Sequence, residues 1–207
     1  MNLEQRWTSF CRTHNSALLN LRIDAAWTML ESLHARPQRA YHSLDHVGAC
    51  LAVLDDWSDQ AVDRAAIELA LWAHDAVYDP TRNDNEAQSA EIARMLATQL
   101  AIGHPDHVAE LVLATAHSAT SLTGDAALIV DIDLSILGSD EPTYNAYAQA
   151  IREEYAFVEE QAYRDGRAAV LQSFLDRSSI YNTAQGRASH EDRAHANLTR
   201  EIKTLHT

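Results

Sequence analysis

Histidines and acids gather at a few points of the 207-residue sequence: His42 and His46 in YHSLDH, His74 beside Asp75 in LWAHDAVYDP, His117, and Asp131 with Asp133 in IVDIDLS. Imidazole and carboxylate together suit borderline-to-hard divalent ions, so the first chemistry to consider is metal binding. His42 and His46 are four residues apart and share one face if their segment is helical. His74 and Asp75 are neighbours, so both reach one ion only if it lies over the ridge between them. Asp75 also stands in an apolar run, where an unpaired carboxylate is costly. A shared ion is permitted by that geometry and not demanded by it.

Helices have to position these groups. Apolar residues make up 46% of the chain, enough for a substantial core, and only 6 Gly and 4 Pro interrupt it. Ala, Leu, Glu, Gln and Arg are good helix formers. The expectation is an all-α helical bundle, one domain over 1–207, with core motifs in 39–138 and the helices of 139–207 packing on them. In IDAAWTMLESLH, the residues Ile23, Trp27, Leu30 and His34 keep helical spacing. Pro37 stops that pattern, and helices are expected over 44–58, 61–78, 85–101 and 105–117. Further helices follow in PTYNAYAQAIREEYAFV, GRAAVLQSFLDR and SHEDRAHANLTREIKTLH. The stretch AALIVDIDLSILG is ambiguous, because Val130, Ile132, Leu134 and Ile136 alternate with polar residues as a strand would. No partner strand is evident, so it is read as a buried helix. On a strand Asp131 and Asp133 would face the same way; on a helix they sit roughly 200° apart, so only one points into a given site.

Composition excludes some functions. A formal charge of −14 argues against nonspecific binding to nucleic acid or to anionic membrane, which need a basic field. It leaves room for a small anionic substrate, since a bound divalent ion reverses the local potential. Two cysteines, Cys11 and Cys50, are too few for a disulfide framework and read as reduced core residues. The N-terminal MNLEQRWTSFCRTHN lacks a signal-peptide core and no run reaches membrane-spanning length, so a cytoplasmic protein is expected.

The order YHSLDH, then HD, then a late Asp in an apolar helix resembles the HD superfamily of metal-dependent phosphohydrolases. The likeness is nearest to a bacterial subfamily of predicted HD-superfamily phosphohydrolases. It is carried by RAYHSLDHV, LALWAHDAVYD, DNEAQSA, DIDLSILG, IREEY, GRAAVLQSFL and EDRAHANLTREI, which span residues 39 to 202. The resemblance implies an HD-type bundle with its metal site between central helices, and His46, His74, Asp75 and Asp133 as ligands. Asp133 is preferred to Asp131 because IDLS is similar to the ADLS segment of cyclic-nucleotide phosphodiesterases. Set against their YHNxxH, YHSLDH makes His42 the general acid that protonates the leaving oxygen. Asp79 resembles the second acid of the HDxxED signature in guanosine tetraphosphate hydrolases, with Tyr78 where that signature has Glu.

The chemistry implied is hydrolysis of a nucleotide or other small phosphorylated metabolite by metal-activated water. The cofactor is a divalent ion (Mn, Fe, Co, Ni, Zn or Mg), one expected and two possible. Asp79, one helical turn beyond Asp75, is placed to orient the water. Arg39, three residues before His42, is placed to clamp a phosphate. His117, Glu86 and Asp131 are candidates for a second shell or a second ion. Each has a plainer reading: a core histidine for His117, a helix start for Glu86, and for Asp79 a helix cap or loop residue. Two other functions compete, a di-iron oxygenase on the HD fold and a non-catalytic nucleotide sensor.

Overall fold

The computed structural model describes residues 1–118 and 121–207, and among these every regular element is helical, as expected. The helices are α1 (Leu3–His14), α2 (Asn20–His34), α3 (Leu44–Asp56), α4 (Arg64–Ala73), α5 (Asn85–Leu100) and α6 (Pro105–Ala114). They continue with α7 (Gly124–Asp133), α8 (Glu141–Glu154), α9 (Glu160–Leu175) and α10 (Ala184–Leu205). Short 3-10 turns occupy Ser58–Gln60 and Leu134–Gly138. None of the described helices is long and apolar enough to cross a membrane.

One hydrophobic core runs from Trp7 on α1 to Leu198 on α10. Its centre is α4, which is buried continuously from Ala66 to Ala73. Trp72 of α4 meets Trp7 and Trp27 edge-on, at centroid distances of 5.4 and 6.1 Å, an arrangement the ring quadrupoles favour. Helix α4 packs against α3, α5, α6 and α7, and α7 packs in turn against α3 and α6. The ends of three central helices therefore meet, and those ends carry the histidines and acids.

Two local outcomes bear on the site. The Val130–Ile136 alternation is helical after all, because α7 is buried on almost every side and the usual amphipathic period disappears. A helix over 61–78 is not what forms. Asp63 caps α4 by accepting from Ala66 N at 2.9 Å, and α4 ends at Ala73. The chain turns at His74–Asp75 instead, and just beyond that turn the carbonyls of Asp75 and Ala76 accept from the buried guanidinium of Arg39. That tertiary contact braces the turn.

The C-terminal helix is seated on the 3-10 turn after α7. Asn197 Nδ2 donates to the carbonyls of Leu137 and Ser139 at 2.9 and 3.0 Å, and Tyr181 donates to that of Leu134 at 3.0 Å. A Cβ on Gly138 would lie 2.5 Å from His190 Cβ and 2.7 Å from its carbonyl oxygen. Gly138→Ala is thus expected to cost about 1–3 kcal/mol and to lower the thermal midpoint by roughly 5 °C. An unchanged midpoint in a calorimetric scan would show that α10 is not tightly seated there.

Candidate metal centre

His46 lies in the first turn of α3, which Ser43 caps through Asp45 N at 3.3 Å. Because Ser43 does the capping, His42 is left to face the site. His74 follows the last residue of α4, Asp75 comes next, and Asp133 is the last residue of α7. His46 Nε2 is 3.1 Å from His74 Nε2 and 3.0 Å from Asp133 Oδ1. Asp75 Oδ2 is 3.1 Å from His74 Nε2 and 3.7 Å from His46 Nε2. His74 Nδ1 donates to the Leu71 carbonyl at 2.9 Å, which turns the lone pair of Nε2 toward the cluster.

These spacings test whether an ion fits. Ligands at typical zinc distances sit about 3.0–3.5 Å from one another in tetrahedral or octahedral arrangements. The observed 3.0, 3.1 and 3.5 Å among His46, His74 and Asp133 match that range. Two ring nitrogens face each other there, an arrangement that an ion between them would explain. The group can hold a metal ion.

Sequence reasoning missed one member of the cluster. Cys50 lies one turn beyond His46, with Sγ 3.7 Å from His46 Nε2. One ligand atom each from His46, Cys50, His74 and Asp133 lies within 4.8 Å of all the others. The signal was present in HVGAC, where His and Cys are four apart on one helical face. Burial raises the Cys50 thiol well above its ordinary value, and the Asp133 and Asp75 charges add to that.

The electrostatics of the cluster are those of a cation site. Burial works to raise Asp133, yet bonds from His117, His46 and His74 hold it well below the carboxylate range. Burial also works to raise Asp75, and His74, His42 and His46 outweigh it, so Asp75 is held below that range too. Burial pulls His74 down, but Asp75 and Asp133 lift it well above an ordinary imidazole. The field that would keep a proton on His74 is the field a divalent ion would use, so binding releases protons and weakens as pH falls.

Asp133 also reaches outward. Its Oδ2 is 3.0 Å from His117 Nε2. His117 has φ +53°, a left-handed conformation sparsely used by residues with a side chain. Its Nδ1 is buried with no hydrogen-bond partner among the described residues. His42 stands on the other side, its ring centre 6.0 Å from that of His46 and stacked on Tyr78 at 4.0 Å. His42 Nδ1 bonds Glu154 Oε2 at 2.7 Å, and Glu154 Oε1 accepts from the backbone N–H of Tyr41 and His42 at 2.7 and 2.9 Å. Glu154 is a second residue that sequence reasoning missed, because in IREEY it looks like one more helical surface acid. His42, His117, Asp133 and Glu86 line one cavity of about 500 Å³.

Three candidates are placed elsewhere than expected. Arg39 is 7% exposed and spends its guanidinium on the carbonyls of His42, Asp75 and Ala76, so it braces the turn and offers no fork to phosphate. Asp79 is not a helical turn beyond Asp75, since α4 has ended. Its carboxylate accepts from Thr81 N and Oγ at 2.9 and 2.6 Å, and it lines a separate hollow with Arg36 and Phe157. Asp131 points away from Asp133 and accepts from Asn182 N and Thr183 N, both at 2.7 Å, just before α10 begins. Glu86, in the first turn of α5, faces the cavity without bonding to the cluster.

Comparison with family models, with curated proteins and with solved structures finds no match.

Proposed function

We propose that the chain is a metal-dependent phosphohydrolase of the HD superfamily, acting on a nucleotide or other small phosphorylated metabolite. The observation that carries this reading is the convergence of His46, His74, Asp75 and Asp133 from three helix ends beside a buried His42–Glu154 pair. A divalent ion held by the four would neutralise phosphoryl charge and lower the pKa of water at the site.

The chain's own groups supply the rest. With Nδ1 engaged by Glu154, the transferable proton of His42 is at Nε2, on the cavity side. His42 gives that proton to the leaving oxygen as its bond to phosphorus breaks. Glu154 fixes the ring through its bond to Nδ1, and Tyr78 stacks on its face. The His74 bond to the Leu71 carbonyl keeps the ligand ring from turning.

The test is chelation followed by reloading. Apoprotein is expected to be inactive on a nucleotide and phosphoester panel, with Mn, Fe, Co, Ni, Zn or Mg restoring turnover at least about a hundredfold. No turnover with any metal, with occupancy shown by elemental analysis, would overturn the reading. One observation favours a second reading, a dinuclear iron oxygenase. The two oxygens of Asp133 face different histidines, as a carboxylate bridging two ions would. Two irons per chain with an iron-to-oxygen absorption band would decide for it.

A further inference from the structure

Arg177 follows α9 and lines the same cavity as His42 and Asp133. The cavity's other cation, Arg167, is paired with Glu201 at 2.8 Å. Arg177 has no carboxylate partner among the described residues, although the chain carries 30 acids against 16 bases. Its guanidinium carbon sits 4.4 Å from the centre of the Phe174 ring, and Nη2 donates to the His117 carbonyl at 2.9 Å. The His117 ring then reaches Asp133 at 3.0 Å. The guanidinium is therefore one histidine's length from the metal cluster, and among the described residues most of its donors have no hydrogen-bond partner. A half-buried cation of this kind suits an anion that arrives from outside. Glu86 lines the cavity as well, and its charge turns an anion toward the Arg177 side.

The cavity also has a direction. A hollow of about 320 Å³ shares Ile151, Tyr155, Arg167 and Val170 with it, and Val158, Ala162 and Gly166 complete the wall. This end is mostly apolar, whereas the end at Arg177 and Asp133 is charged.

We propose that Arg177 grips the phosphoryl group of the substrate opposite the metal cluster, and that the adjoining hollow takes an apolar or aromatic group of the same ester. The inference rests on the phosphohydrolase reading and narrows its substrates to phosphate esters with an apolar body. A planar guanidinium presents two parallel N–H donors to two phosphoryl oxygens, a rigid fork that an ammonium lacks. Arg177 is thus the specificity residue for the anion, and the hollow is the specificity element for the alcohol.

The experiment uses the metal-loaded full chain with inorganic phosphate, 1-naphthyl phosphate and glycerol phosphate. Arg177→Gln is expected to weaken phosphate binding, read by calorimetry, by about 30-fold. KM for both esters should rise by a similar factor, with kcat changing less than about threefold and metal content constant. Arg177→Lys should recover part of the loss. Ala162→Phe, on an exposed position of the hollow, should raise KM about tenfold for naphthyl phosphate and leave glycerol phosphate unaffected. Unchanged phosphate binding in Arg177→Gln overturns the role of Arg177, and so does a loss explained by lost metal. Equal KM values for the two esters, insensitive to Ala162→Phe, overturn the role of the hollow. If no ester is hydrolysed with any metal, the phosphohydrolase reading fails by itself, and Arg177-dependent phosphate binding still decides the anion site.

Discussion

Alanine at Asp133 is expected to empty the metal centre and cut turnover by about a thousandfold while leaving the helices folded; alanine at Asp131 is expected to do the reverse. Both acids lie on α7, two residues apart; Asp131 is buried and Asp133 is partly buried. Asp133 Oδ1 faces His46 and His74, and its Oδ2 faces His117. Its loss removes a ligand and the charge that draws the cation, worth roughly the 4 kcal/mol that a thousandfold represents. The imidazoles left behind can become neutral, so folding suffers little. Asp131 has no access to the cluster. It accepts from Asn182 N, Asn182 Nδ2 and Thr183 N at 2.7, 3.1 and 2.7 Å, and tethers the start of α10 to the core. Without it three donors lose a charged partner inside the protein, costing about 3 kcal/mol or more. Elemental analysis after dialysis and a thermal scan of both variants separate the two roles. Full ion content in Asp133→Ala would sink the proposed ligand set.

What could be read from the sequence divides along a physical line. Local spacing predicts elements well: the helices expected from residues 44, 85 and 105 begin there, and the apolar spacing of Ile23, Trp27, Leu30 and His34 marks one buried face. The order of His46, His74, Asp75 and Asp133 is legible as a pattern because each lies at or near a helix end. Tertiary capture is not legible. Arg39 braces the chain just after α4 by binding the carbonyls of Asp75 and Ala76, and nothing within residues 61–78 signals that. The expected role of Asp79 depended on that helix continuing, and it fell with the helix. Glu154 lies 112 residues from His42, in a helix whose other acids are solvated, so its burial depends on how α8 packs. Cys50 is a different case, since its spacing from His46 was visible and the apolar character of free cysteine hid it.

His42→Ala is expected to lower kcat by about a hundredfold or more, with metal content unchanged, because a positioned proton donor contributes roughly 10²–10⁴-fold. Glu154→Gln is the sharper test of how that donor is held. The amide keeps the size and still accepts from the backbone N–H groups of Tyr41 and His42. It replaces the charged acceptor that steadies the His42 ring by a neutral amide, so kcat should fall about tenfold with metal content unchanged. A merely structural contact would lower stability without lowering kcat in the folded protein. Stability itself should respond to acid through Glu154. Burial works to raise Glu154, but the His42 ring and the two backbone donors outweigh it and hold the carboxyl below its ordinary 4.5. A folded-state value below the unfolded one means that the ionised group stabilises the fold above pH about 4.5, and that this is lost as pH falls through the folded value. The wild-type urea midpoint should therefore drop more steeply than that of Glu154→Gln between about pH 5 and pH 3. Parallel midpoints with an unchanged kcat would mean that the His42–Glu154 bond does not steady the acid, and His42 would lose its claim to the proton.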